Sequence, residues 1–197
     1  MERTAILHSD SIEGKRLVSS IAMIVVLVSF SMLFASLFLG YSYFRITSPV
    51  WPPMGMEKVD LFFPTLSTFA IVLSSMTFMV FKAKYFGGGA VNKTMPWLVA
   101  TIILGAGFMY TQFSLWADLK SRGFYASSGV FQSLVYSFTW IHAAHIVIAL
   151  LTLLYLIPVT MNKECTISEE NKVNNVGKFW HFLDVVWLLM YFIIFVI

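Results

Sequence analysis

The sequence predicts an all-α integral membrane protein, built as a bundle of five transmembrane helices. Of its 197 residues, 58% are hydrophobic and only 12% are charged. A soluble domain carries about 25% charged and about 45–50% apolar residues. This charge deficit argues against a soluble globular protein, a disordered chain and a nucleic-acid binder, so the net charge of +3 does not indicate a nucleic-acid partner. The second observation is that Asp, Glu, Lys and Arg divide the chain into five apolar runs.

The five runs are long enough to cross the hydrocarbon core of a bilayer, which takes about 20 residues of helix. They cover residues 17–44, 61–81, 97–117, 130–157 and 179–197. The first run has 28 residues, whereas the apolar core of a signal peptide has about 7–15 and ends at a small-residue cleavage site. No such site follows it, so we expect this run to remain as a helix.

The other four runs have clear boundaries. Pro64 falls in the first turn of the second span, where proline is tolerated, and we expect no proline inside the remaining spans. The run Gly87-Gly88-Gly89 predicts a flexible loop before the third span, which begins at Trp97. The fourth lies in a charge-free stretch, and the fifth contains one charge, Asp184.

Basic residues are divided unevenly between the loops on the two sides of the membrane. One side carries nine: Arg3, Lys15, Arg16, Lys82, Lys84, Lys93, Lys163, Lys172 and Lys178. The other carries four: Arg45, Lys58, Lys120 and Arg122. The side richer in basic residues is usually cytoplasmic. We therefore expect the N-terminus to lie inside and the C-terminus outside. We expect residues 1–197 to form a single membrane domain. Cys165, the only cysteine, then faces the reducing compartment and cannot form an internal disulfide.

Four ionisable side chains lie inside the predicted spans, where such groups are costly and often functional. His142 and His145 are three residues apart near the middle of the fourth span, so they share one helix face. His181 and Asp184 repeat that spacing near the cytoplasmic start of the fifth. We expect Asp184 to pair with His181, the nearest candidate, or with a partner subunit, and the flanking Trp180 and Trp187 to shield the pair from lipid.

Haem or metal ligation is the sharpest interpretation of these histidines, and the spacing argues against it. Two axial ligands approach iron from opposite faces, which His142 and His145 on one helix face cannot do. His145 and His181 lie at different depths along their spans, and zinc or copper needs further ligands. A proton relay is weakened because the first four spans hold no Asp or Glu. Interhelical hydrogen bonding is the favoured interpretation.

A free-standing transporter or scaffold is a further alternative. Transporters often show two inverted halves and broken helices. Five spans do not divide into halves, and the short loops leave no room for an extramembrane domain.

Several segments together resemble a known family. The run Lys178-Phe179-Trp180-His181-Phe182-Leu183-Asp184-Val185-Val186-Trp187 resembles the W-H-F-x-D-V-V-W segment in the last helix of subunit III of haem–copper terminal oxidases. His142-Ala143-Ala144-His145 is similar to that family's H-G-L-H segment, and Trp51-Pro52-Pro53 with Gly55 to its W-P-P-x-G turn. Segments around Ser67, Ser74 and Gln112 resemble the helices between, in the same order.

The resemblance implies a five-helix form of this family, with the N-terminus inside. It also implies an accessory subunit of a respiratory oxidase that reduces oxygen to water and pumps protons. No catalytic residue is expected in the chain. Haem and copper would belong to partner subunits I and II, and phospholipid would bind to this chain in a bacterial inner membrane. His142, His145, His181, Asp184 and Trp187 are the structural or lipid-contact candidates.

One position departs from the family pattern. The segment Leu27-Val28-Ser29-Phe30-Ser31-Met32 resembles one that often carries a glutamate after its first serine, and here that position is Phe30. Carboxylate chemistry ascribed to the glutamate is therefore not expected. A related subunit associated with nitric oxide reductase is the alternative within the family. The resemblance leaves open whether cytochrome c or quinol is the electron donor, and whether the oxidase joins a supercomplex.

Overall fold

The structure is a computed structural model that describes residues 2–51, 60–162 and 167–196. Five helices long and apolar enough to cross a membrane make up most of this part of the chain, which confirms the predicted all-α membrane class. They are α1 (Glu2–Thr47), α2 (Phe62–Phe86), α3 (Val91–Ser121), α4 (Val130–Met161) and α5 (Ile167–Met190). A short 3₁₀ turn, Ala126–Ser128, precedes α4, and the residues after α5, Tyr191–Val196, wind as a π-helix.

The helices extend beyond the apolar runs that predicted them. As a result α3 and α4 contain Pro96 and Pro158 near their ends, each one residue outside the predicted span, which itself contains no proline. The connection from α2 to α3 shrinks to residues 87–90 and forms a tight turn, where a flexible loop was predicted. Gly88 adopts a left-handed conformation with φ +68°, which glycine tolerates without strain. A Cβ on Gly89 would lie 2.8 Å from the carbonyl oxygen of Lys84, so this turn requires glycine there as well.

Helices α2, α3, α4 and α5 pack in cyclic order, and α1 lies outside this ring against α5 and α4. The most extensive contact is between α2 and α3, which the tight turn holds antiparallel. Helix α5 also packs on α2, and its tryptophan side chains reach α3, so it contacts all four other helices. Aromatic side chains fill the interior of the ring of four helices. Among them, Phe78, Phe108 and Trp187 are fully buried.

Two hydrogen bonds join α1 to the last helix. The Asn175 side-chain amide donates to Ser19 Oγ at 3.0 Å. The Tyr41 hydroxyl donates to the carbonyl oxygen of Ile193 at 3.2 Å, and the Trp51 indole donates to that hydroxyl at 3.2 Å. Helix α1 is therefore fixed at two levels, at Ser19 and at Tyr41, by residues more than 150 positions later in the chain.

Candidate functional site

A polar cluster joins α2 to α5. The Nδ1 atom of His181 lies 2.6 Å from Ser75 Oγ and 3.6 Å from Asp184 Oδ2. The second distance is that of an ion pair, longer than a hydrogen bond. Asp184 is buried, and His181 lies against the ring of Phe78. The structure therefore brings His181 and Asp184 together as the sequence predicted, and it adds Ser75, which sequence reasoning did not identify as their partner.

These residue types also occur in hydrolytic triads, but the geometry differs. In such a triad the nucleophile and the acid bind opposite nitrogens of the imidazole, so that a proton can pass through the ring. Here Ser75 and Asp184 both approach Nδ1. The cluster is arranged to connect two helices and does not activate the serine hydroxyl.

His142 lies at the centre of the bundle in an aromatic cage. Its ring centroid is 5.5 Å from that of Trp187, 5.8 Å from Phe108 and 6.1 Å from Phe34. The side chain is fully buried, and neither ring nitrogen has a hydrogen-bond partner among the described residues. The interhelical hydrogen bond expected for this histidine is therefore absent from the described part of the chain, and ring packing takes its place.

His145 is half-buried on the side of α4 that faces α1. Its Nδ1 lies 2.6 Å from the carbonyl oxygen of Ile141, one turn earlier in the same helix. The edge of its ring meets Phe30 with centroids 4.3 Å apart, and Phe34 lies 5.7 Å away. Phe30 stands where the resemblance places a glutamate. Its apolar ring therefore packs directly against the His145 ring.

Trp187 holds α5 against both α2 and α3. Its indole Nε1 donates to Thr68 Oγ1 at 3.0 Å, and its ring meets Phe108 edge-on at 4.8 Å. Trp180 is equally buried, so both tryptophans lie inside the bundle. A Cβ placed on Gly105 of α3 would come within 2.8 Å of the Trp180 ring, which shows how closely the two helices approach.

A set of hydroxyl groups between α2 and α3 was not identified from the sequence as a site. Ser67 Oγ lies 2.7 Å from Thr111 Oγ1 and accepts from the Gln112 amide at 3.1 Å. About two turns further along, the Ser74 hydroxyl donates to the carbonyl oxygen of Thr101 at 3.1 Å. The seven-residue spacing of Ser67 and Ser74 places both on one face of α2, and this was the available signal.

No three His, Cys, Asp or Glu side chains converge as a metal site in the part of the chain whose side chains the structure describes. His142 and His145 share Phe34 as a neighbour, but His142 otherwise meets Trp187 whereas His145 meets Phe30, and His181 is engaged by Ser75. The side chains of His8 and Cys165 lie outside the described residues.

Comparison with known proteins decides the family. Residues 8–197 match the family model described as cytochrome c oxidase subunit III. The chain belongs to the cytochrome c oxidase subunit III family. This confirms the resemblance found in the last-helix segment.

Members of the subunit III family similar to this chain serve two kinds of oxidase. Subunit 3 of the cytochrome c oxidase of Thermostichus vulcanus is 28% identical over 187 residues, covering 90% of this chain and 86% of the relative. Subunit 3 of the cytochrome bo(3) ubiquinol oxidase of Pseudomonas putida is 28% identical, covering 84% and 79%. A probable cytochrome c oxidase subunit 3 of Mycobacterium bovis is 29% identical, covering 90% and 87%.

Proposed function

We propose that this chain is an accessory, non-redox subunit of a respiratory haem–copper oxidase that reduces oxygen to water and pumps protons. The observation that carries the proposal is the family match over residues 8–197. The geometry agrees with a structural role, because the intramembrane polar groups join helices. Ser75 links α2 to His181 of α5, and Thr68 links α2 to Trp187.

Within such a complex the chain packs against subunit I, with subunit II completing the core, and it stabilises subunit I. Haem and copper reside in these partners. Phospholipid binds to the chain's outer surface, which is rich in exposed apolar side chains along α1. His142, His145, His181, Asp184 and Trp187 serve assembly and contribute no electron-transfer or catalytic step.

Purification of the native complex through an affinity tag on this chain tests the proposal. We expect the other oxidase subunits to co-purify, together with a haem spectrum, bound copper and oxygen consumption. Cytochrome c and quinol supplied separately identify the electron donor. A complex that reduces nitric oxide but not oxygen would identify the nitric oxide reductase alternative. Recovery of the chain without any haem protein from gently solubilised membranes would favour a free-standing transporter or scaffold.

We further propose a bacterial inner-membrane location with the N-terminus in the cytoplasm. The support is the basic bias of nine residues against four in the loops. Cys165, which lies outside the described residues, reports on this orientation because it is the only cysteine. We expect a membrane-impermeant thiol reagent to label Cys165 in inverted vesicles and to leave it unmodified in intact cells. Labelling in intact cells alone would reverse the proposed topology.

A further inference from the structure

His181 is held at one nitrogen and open at the other. Its Nδ1 meets Ser75 at 2.6 Å and lies 3.6 Å from Asp184. Its Nε2 has no hydrogen-bond partner among the described residues. The His181 side chain is 35% exposed, whereas that of Asp184 is 7% exposed. The cluster therefore fixes the orientation of the imidazole while leaving part of the ring on the outer surface of the bundle.

The depth of His181 follows from its contact with Ser75, which places the two side chains at the same level. Ser75 precedes Lys82 by seven residues, about 10 Å along α2 at 1.5 Å per residue. The Lys82 ammonium lies over the ring of Phe86, still nearer that end of the helix. Phe62, where α2 begins, is about 20 Å away in the other direction. Lipid phosphates at the level of Lys82 thus lie about 10 Å from His181 along the bundle, and the exposed Lys178 precedes His181 by three residues, about 4.5 Å along α5.

The surface around His181 is apolar and open. Val72 and Met79 share the Ser75 side of α2 and are 38% and 52% exposed. Val185 and Leu188 share the His181 side of α5 and are 55% and 40% exposed. Helix α1 packs on α5 and α4 and makes no extensive contact with α2 in the described residues. The ring edge of His181 therefore lies in a mostly apolar patch, formed by Val72, Ser75, Met79, His181, Val185 and Leu188, and the exposed Lys178, one turn before His181, borders the patch.

We propose that this patch is the docking surface for a transmembrane helix of a partner subunit, which hydrogen-bonds to His181 Nε2. An imidazole nitrogen without a partner in hydrocarbon is unfavourable, and intramembrane ionisable groups pair with other polar groups. Lipid acyl chains offer no hydrogen-bonding atom. A helix with an apolar face and one polar side chain or free carbonyl at this depth would cover the apolar side chains of the patch and hydrogen-bond to His181 Nε2. The inference rests on the proposed function, which supplies the partner subunit.

Substitution of His181 by asparagine or glutamine distinguishes the contact of Nε2 with a partner helix from the contact of Nδ1 with Ser75. The amide of His181→Asn reaches the position of Nδ1, and that of His181→Gln reaches the position of Nε2. We expect the asparagine variant to lower retention of this chain in the detergent-solubilised complex by about three- to thirtyfold, the value of one interhelical hydrogen bond. The glutamine variant should stay closer to the native level. The opposite ranking would show that only the contact with Ser75 matters and would overturn the proposal.

Photo-cross-linking keeps the proposal testable if either variant fails to fold. In a Cys165→Ser background, Val185→Cys carries a benzophenone in the patch, and Leu151→Cys on α4, 60% exposed, is the matched control. We expect Val185→Cys to cross-link to an oxidase subunit in native membranes and Leu151→Cys to do so much less. Cross-linking of Val185→Cys only to lipid or to a second copy of this chain, in a complex that does contain oxidase subunits, contradicts the docking surface alone. Cross-linking to a membrane protein outside any oxidase keeps the surface and contradicts the proposed function.

Discussion

Helices α1 and α5 are both able to cross a membrane, but they occupy opposite positions in the bundle. In the most apolar stretch of α1 only 6% of residues are buried, against 44% in that of α5. Helix α1 touches two helices from outside the ring, whereas α5 contacts α1, α2, α3 and α4. The side chains of α5 that face inward include Trp180, Asp184 and Trp187. The apolar side chains of α1 mostly face outward.

The difference reverses the rule for soluble proteins, in which the most apolar helix is buried. Lipid tails solvate leucine and valine as well as a protein interior does, so apolar residues alone do not draw α1 into the bundle. Small and polar residues allow close packing and interhelical hydrogen bonds, and these determine which helix is central. We therefore expect substitutions in and around α5 to be more damaging than comparable ones on α1.

The largest effect is expected where α3 approaches α5. Gly105→Val would place a side chain within 2.8 Å of both Trp180 and Leu150. Such overpacking costs about 1–3 kcal/mol, and thermal unfolding of the detergent-purified chain measures it. Gly107→Val is the matched control, because a Cβ there meets nothing within 4 Å. Equal losses for the two variants would show that helix propensity, and not contact with α5, is responsible.

Asp184 provides the second test. Asp184→Leu removes the side chain that lies 3.6 Å from His181 Nδ1 on the same helix, so the imidazole is held less firmly and we expect reduced retention in the solubilised complex, a smaller loss than that of Gly105→Val. Asp184→Asn preserves shape and hydrogen-bonding capacity and should leave both retention and turnover near normal. If the asparagine variant assembles fully yet loses turnover or proton pumping, Asp184 handles protons and its structural assignment is wrong.

Substitutions of His142 should change stability less, and the direction of the change tests whether its nitrogens are unpaired. Because its neighbours are rings and neither nitrogen has a partner among the described residues, His142→Phe should be as stable as the native chain or slightly more stable. His142→Gln should be less stable than His142→Phe by about 1 kcal/mol, because it buries an unpaired amide where the other variant has none. The haem content per complex should not change in either variant, nor in His145→Gln. Loss of haem absorbance from an assembled complex would make one of these histidines a ligand.

The smallest effect is expected on the outer face of α1. Leu39 is 72% exposed, so Leu39→Ala should change the unfolding free energy by less than about 0.5 kcal/mol, as for other surface positions. Thermal unfolding of the solubilised complex measures this change. A loss above 1 kcal/mol in the complex but not in the isolated chain would mean that a partner subunit covers α1 there.

The sequence predicted the number and class of the helices well, because charged residues bound apolar runs that only a membrane helix explains. It predicted the helix ends less well. Charge marks the limit of the apolar core and not of the hydrogen-bonded helix, so α5 begins at Ile167, twelve residues before its apolar run. Asn175 lies in this extension and hydrogen-bonds to Ser19 of α1. A contact with the first helix was not visible from the local pattern.

The site was predictable to the extent that it is local. His181 and Asp184 meet because they lie three residues apart on one helix, and this pair follows from spacing alone. Ser75 joins them from α2, more than a hundred positions earlier, and only the packing of the two helices brings it there. The aromatic cage of His142 is similarly assembled from α1, α3 and α5.

The peripheral place of α1 has a consequence for biogenesis. The residues that anchor α1 are distant in sequence: Ser19 and Asn175 are separated by 156 positions, and Tyr41 and Ile193 by 152. At a translation rate of about 5–20 residues per second, roughly 8–31 s pass between synthesis of α1 and of these partners. During that interval α1 must reside in the lipid without these two hydrogen-bond partners. A helix that waits for its anchors has to be stable in lipid by itself, and the largely unburied apolar surface of α1 meets that requirement.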